Sequence, residues 1–214
     1  MKRLILMLFL ASIAWACQNK DIEGSASGKK QKNEEKEYIN NLKQFRAEKD
    51  SAFKYDSHSP IPEEERASFK GLNYFEPDVK YYVIAKFIKH TNPDTLKILT
   101  TKPDDIRTML RYGEFHFVLD NKEYVLQGYV NASRENSFYI FLPFTDLTTG
   151  KETYEGGRYL DINFNPGDSI AVLDFNLAYN PYCAYNSRYS CPLVPFENSI
   201  NVKILAGEKA YKSH

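Results

Sequence analysis

The chain has 214 residues, 43% hydrophobic and 26% charged, and its 28 basic and 28 acidic side chains cancel to a formal net charge of zero. That length holds one domain, or one domain with a small satellite, and the composition excludes wholesale disorder. Balanced charge supplies no basic face for nucleic acid, while 16 Tyr and 14 Phe against a single Trp lean the chain toward sheet structure.

At the N-terminus, Lys2 and Arg3 precede eleven apolar or small residues, Leu4 to Ala14. Spanning a bilayer takes about 20 residues, so residues 1–17 read as a signal peptide and stay out of the fold. Ala14-Trp15-Ala16-Cys17 resembles the lipobox of bacterial lipoproteins, which implies acylation (palmitate among the chains) at Cys17 and a membrane partner through that anchor. The alternatives are an ordinary cysteine behind a plain secretory signal, or an uncleaved anchor. Gln18 follows the cysteine in place of the Asp that retains enteric lipoproteins in the inner membrane, so the expected location is extracytoplasmic, at the outer membrane.

Residues 18–36 are rich in Gly, Ser, Lys, Gln and Glu, with Ile22 the one large apolar side chain. Such a segment cannot bury enough apolar area to offset ordering, and is expected to be a flexible tether. Residues 37–214 then form a single mainly β domain of α+β type. A helix is predicted from Asn33, as N-cap, to Phe53, with Tyr38, Leu42, Phe45 and Ala52 near the helical period. A short second helix follows from Pro62 to Ser68.

From Gly71 the texture changes to strands and turns. Strands are expected over Val79–Lys89, Leu96–Thr100, Glu114–Leu119, Glu123–Val130, Phe138–Phe144, Tyr159–Phe164, Ile170–Phe175 and Ile200–Leu205, separated by Gly, Pro, Asn and Asp clusters. Seven or eight short strands at this spacing predict an antiparallel β-sandwich or partly closed barrel behind an N-terminal helix. His116 alternates with Phe115 and Phe117, so it should face away from the core.

The chemistry-bearing residues crowd into the last third. Asp161 and Asp174 lie on neighbouring strands that a hairpin at Pro166-Gly167-Asp168 would bring together, with Arg158 nearby. One reading is a polar pocket in which Arg158, an acid and the amides of Asn176 and Asn180 grip a ligand, with Glu197 in the same set. The other is a buried Arg158–Asp174 ion pair with asparagines capping turns. Tyr179, Tyr182, Tyr185 and Tyr189 form either a stacking platform or packed rings with bonded hydroxyls. Cys183 and Cys191, eight apart in an exported chain, read first as a disulfide closing a loop; a reduced packed pair and a metal or redox site are the alternatives. No His or Cys spacing of a zinc site and no phosphate-binding glycine loop appears, so no metal and no cofactor is expected; Gly156-Gly157 precedes a strand and fits a tight turn.

The run Thr153-Tyr154, Gly157-Arg158-Tyr159-Leu160, Leu173-Asp174-Phe175-Asn176, Ala178-Tyr179-Asn180-Pro181, Cys183-Ala184, Cys191-Pro192, Glu197-Asn198 and Ala206-Gly207-Glu208 resembles the uncharacterised family known as domain of unknown function 1684. Phe69-Lys70-Gly71-Leu72 resembles its early segment, so the likeness spans about residues 38 to 211. The resemblance implies no established reaction. Three readings follow: an envelope lipoprotein binding a small polar ligand or glycan; an enzyme using carboxylate acid/base or cysteine redox chemistry; and a structural or assembly factor of the outer membrane. No nucleophile–base constellation is visible, which favours the first.

Overall fold

The computed structural model describes residues 12–132, 139–165 and 167–212, with side chains described from Lys30 onward. Most of the predicted export signal and the side chain of Cys17 therefore lie outside the described residues. The chain divides into two units, Met1–Lys43 and Gln44–His214.

In the first unit the described backbone is helical. Helix α1 (Ser12–Tyr55) begins well ahead of Asn33 and takes in the stretch expected to be a tether. No proline occurs before Pro60, so nothing blocks propagation back from the Lys- and Glu-rich segment. Lys30 and Glu34, both exposed, pair across one turn at 3.9 Å. No helix among the described residues is long and apolar enough to cross a membrane.

Among its described residues the second unit holds the end of α1, a one-turn helix α2 (Glu63–Arg66) and seven antiparallel strands: β1 (Tyr82–Lys89), β2 (Thr95–Leu99), β3 (Ile106–Leu119), β4 (Lys122–Asn131), β5 (Tyr139–Phe144), β6 (Arg158–Asn163) and β7 (Ile170–Asp174). They form one sheet in the order β6-β5-β4-β3-β1-β7, with β2 paired to β3 beside β1, a nearly closed barrel-like arrangement. β3 makes this possible. Its first half takes β2 and its second half takes β1, while β4 runs along its other edge from Met109 to Leu119 through a bulge between Arg111 and Gly113. A bulge adds twist, which a closing sheet needs. Asp120 and Asn121 turn β3 into β4 with φ of 51° and 59°, the left-handed pair that a two-residue hairpin demands.

Alternation puts Phe87, Phe115, Phe117, Leu126, Leu142 and Leu173 inside the barrel. His116 points outward as expected, 3.0 Å from Glu114. Two expectations change. The predicted hairpin that would pair β6 with β7 is not a ladder: β6 takes β5, β7 takes β1, and the outer edge of β6 exchanges backbone bonds with Tyr179 through Tyr159. The predicted strand over 200–205 keeps its alternation, burying Ile200, Val202 and Ile204, but makes only scattered bonds, including Ile200 N–H to the Thr145 carbonyl, because Ile204 N–H donates to the Asp146 side chain.

β4 and β5 are buried on both faces from Leu126 to Val130 and from Ile140 to Phe144. Their inner face meets the barrel core. Their outer face carries a second cluster of Tyr129 and Phe141 with Ile98, Met109 and Tyr159, against which Tyr179 and Val194 of the segment after β7 pack.

Candidate functional site

Arg46, Lys49, Asp50 and Phe53 recur at the helical period and dock the end of α1. Arg46 donates to the Phe75 carbonyl at 2.8 Å and lies over the Tyr74 ring. Asp50 accepts from Leu72 N–H at 3.0 Å, and Phe53 packs with Ile61, Phe69, Leu72 and Tyr185. This docking face is more polar than the predicted apolar stripe, and it leaves Phe45 half exposed.

Between this helix end, the outer face of β3–β6 and the loop 179–192 lies a cavity of about 580 Å³. Its floor is set by strand register: Tyr129 on β4 faces Phe141 on β5, which faces Asp161 on β6. Tyr159 stands beside them, 4.7 Å from Phe141 and 5.8 Å from Tyr179 between ring centres, both edge to face. Tyr182 and Tyr189 close one wall, with ring centres 5.2 Å apart.

The hydroxyls of the deeper rings are anchored. Tyr129 donates to Glu197 at 2.8 Å, and Glu197 is gripped by Arg111, which also holds Asp94. Tyr159 donates to the Pro192 carbonyl, and Tyr179 donates to Asp161 at 2.9 Å. Burial raises the pKa of all three tyrosines far above the usual phenol value, so each stays a neutral donor. The cavity thus offers rigid aromatic faces in fixed orientations.

Two charges reach it. Asp161 opens into the cavity, and the aromatic surface around it takes away enough water to raise its carboxyl above the usual range, against the Tyr179 bond and Lys49. Lys49 lies with its ammonium 5.1 Å from the centre of the Tyr179 ring and 5.4 Å from that of Phe53, and pairs with Glu208 at 2.7 Å. Cys191 also lines the cavity. A second cleft of about 520 Å³ follows the unpaired seam between β6 and β7 and is bordered by both Asp161 and Asp174, so these two carboxylates share a surface although their strands form no ladder.

The other predicted residues are used elsewhere. Arg158 is 1% exposed; it donates to the carbonyls of Ala206 and Ile204, and at 3.5 Å to Asp146, not Asp174. Burial lowers its pKa, with Asp146 opposing, to about 10, so it remains a cation. Asn176 is a two-way clasp on the backbone of Asp78, and Asp174 caps Asn176 N–H at 3.0 Å. Asn180 N–H donates to Glu208, as does the Tyr185 hydroxyl, which removes Asn180 and Tyr185 from any open surface. Glu197 supports Tyr129 from behind.

Asp146, Asn198 and Glu208 are hubs to which the sequence reading assigned no role. Asp146 accepts from Ile204 N–H at 2.6 Å and from Thr148, and Asn198 spans Gln127 and Pro143. Glycine serves this network at two points. At Gly157 (φ 82°) a Cβ would meet the Phe144 carbonyl at 2.7 Å, and at Gly207 (φ 74°) the Ala178 carbonyl at 2.5 Å, so the Gly-Arg and Ala-Gly-Glu elements are packing requirements. Lys49, Tyr129 and Tyr159 were also missed as cavity residues. The signal available for Tyr129 is the unbroken burial of β4 from Leu126 to Val130, written as a run with few exposed-type residues.

Cys183 and Cys191 stand as two separate thiols. Cys183 N–H donates to the Cys191 sulfur at 3.1 Å, and the Tyr154 hydroxyl lies 3.8 Å from Cys183 Sγ. Among the described residues, no group of three or more His, Cys, Asp or Glu is placed to hold a metal ion.

Comparison with solved structures finds an uncharacterised protein of Haloarcula marismortui, determined by solution NMR. It is 37% identical, with a TM-score of 0.66, and the match covers 84% of this chain and 97% of that one. No curated protein matches the chain. The model of a protein family of unknown function, DUF1684, matches residues 67–209, a span containing every strand, the sealed Arg158 network and most of the cavity floor, and the chain belongs to that family.

Proposed function

We propose that this domain is the binding module of an envelope lipoprotein and that the tyrosine-lined cavity takes a small polar ligand or a glycan. The observation that carries the reading is the juxtaposition of fixed aromatic faces with one open carboxylate, Asp161, in a space of about 580 Å³. Ligand cavities fall at roughly 300–1,000 Å³ and combine apolar walls with a few placed polar groups. A sugar ring presents C–H faces for Tyr179 or Tyr182 and hydroxyls for Asp161 and Lys49. The segment Lys2 to Cys17 supports export and acylation, which would hold the module at the outer membrane.

Calorimetric titration of the mature protein with a panel of soluble oligosaccharides tests this. At least one should bind, and Asp161→Asn and Tyr182→Ala should each weaken binding about tenfold, or roughly 1.4 kcal/mol, without a large loss of thermal stability. Tyr182 is 45% exposed, so its loss should cost little stability. A panel that shows no heat of binding at millimolar concentration would remove the glycan reading. Palmitate labelling abolished by Cys17→Ser supports the anchor, and label retained in that variant refutes it.

A further inference from the structure

The cysteine pair is left unused by the binding reading. Cys191 is pinned to the end of β2 without help from sulfur: its N–H donates to Thr101 Oγ1 at 3.1 Å, Thr101 N–H returns to its carbonyl at 2.9 Å, and Leu193 N–H bonds the Leu99 carbonyl at 2.8 Å. The other end of the loop is a short turn, Tyr182–Ala184, stabilised by Ala184 N–H to the Pro181 carbonyl and Asn186 N–H to the Tyr182 carbonyl. Each end of the loop is thus held by its own backbone hydrogen bonds, and across its mouth Cys183 N–H meets the Cys191 sulfur at 3.1 Å. Their environments differ. Cys191 is buried at 6% exposure, whereas Cys183 is half-buried and reachable from solvent.

We propose that Cys183 and Cys191 form a reversible dithiol–disulfide couple that exchanges with external disulfides, Cys183 attacking and Cys191 resolving. The Cys183 thiolate attacks one sulfur of R–S–S–R′, forming a Cys183–S–S–R bond and releasing R′S⁻, which takes up a proton. Cys191, giving its proton to solvent, then attacks Cys183 Sγ, forming the internal disulfide and releasing RS⁻. Two electrons pass from the pair to the external disulfide, and two thiols leave. The sulfur contact supports the order of events: the hydrogen bond from Cys191 lowers the pKa of Cys183, with burial opposing and Tyr154 and Thr101 assisting, to about 7, while that of Cys191 is pushed up by the same contact and by burial. An accessible low-pKa thiol beside a protected partner is the arrangement that exchange requires. A loop already held by hydrogen bonds lets the couple cycle without unfolding.

The test uses reduced mature protein and oxidised glutathione, followed by mass spectrometry. Cys191→Ser should accumulate a mixed disulfide at Cys183, at least about tenfold faster than Cys183→Ser does at Cys191. Wild type should pass to an internal disulfide that retains no glutathione and is reopened by dithiothreitol in the folded state. Equal rates in the two variants, or no adduct in either, would overturn the assignment. So would a wild-type disulfide that dithiothreitol opens only after denaturation, since that describes a permanent staple. If Cys191→Ser fails to fold, a brief iodoacetamide pulse on wild type decides: Cys183 should be labelled first, and Cys191 labelled first or together with it overturns the proposal.

Discussion

Two regions hold most of the polar side chains of the last third, and they differ in what those side chains can still do. Around Arg158, Asp146 and Asn198 the donors and acceptors are largely paired with one another, and Arg158 is sealed from water. Around Asp161 the hydroxyls are anchored on the outside while ring faces and a carboxylate remain open to a cavity. A buried ion pair whose partners are also bonded to backbone fixes a fold, because neither charge can be withdrawn without stranding the other. An open carboxylate among preorganised rings is free to meet a ligand. Richness in polar residues therefore does not locate the site; unspent bonding capacity does.

The largest effect expected from this contrast is at Arg158. Arg158→Ala strands the Asp146 carboxylate in a sealed interior and should cost about 3–5 kcal/mol, read as lost cooperativity or a collapsed urea midpoint; a variant with near wild-type stability would break the distinction. Next is Asn198→Ala, which removes a clasp joining β4 to β5 through Gln127 and Pro143 and should cost about 2–3 kcal/mol by thermal or urea unfolding. Smallest is Asp161→Asn. The raised Asp161 carboxyl binds its proton more tightly in the folded chain than in the unfolded one, a contribution fully present below the ordinary value of 3.8 and lost as pH rises through the folded value. At pH 7 the asparagine variant should thus be slightly more stable than wild type, by less than about 1 kcal/mol, and the gain should fade as pH falls toward 4. Melting curves from pH 4 to 7 measure it; a gain that grows on acidification would contradict the environment described for Asp161.

Much of the fold is legible in the residues. Val83, Ala85 and Phe87, then Phe115, Phe117 and Leu119, alternate cleanly because one face of each strand meets the barrel core. The first half of β3 is not legible, since Ile106 to Thr108 are exposed and a bulge breaks the period near Tyr112. Strand partners are likewise hidden: β6 and β7 are consecutive in the chain, yet each takes a different neighbour. Of the predicted site, Asp161, Tyr179, Tyr182 and Tyr189 reach the cavity together with Cys191, while Arg158, Asn176, Asn180 and Tyr185 are drawn into internal bonds. Lys49 could not be foreseen there, because its role depends on a helix docking more than a hundred residues upstream of Tyr179. Motif spacing reports which side chains are local to one another; it does not report which of them another element will consume.

The direct test of the contrast is to map ligand contact by NMR, titrating isotope-labelled mature protein with the best-binding oligosaccharide of the panel. Saturable shifts should appear at Tyr129, Phe141, Tyr159, Asp161, Tyr179 and Tyr182, with Arg158, Asp146 and Ala206 unmoved. Shifts centred on Arg158 and its carbonyl partners, with the tyrosine cavity silent, would contradict the account.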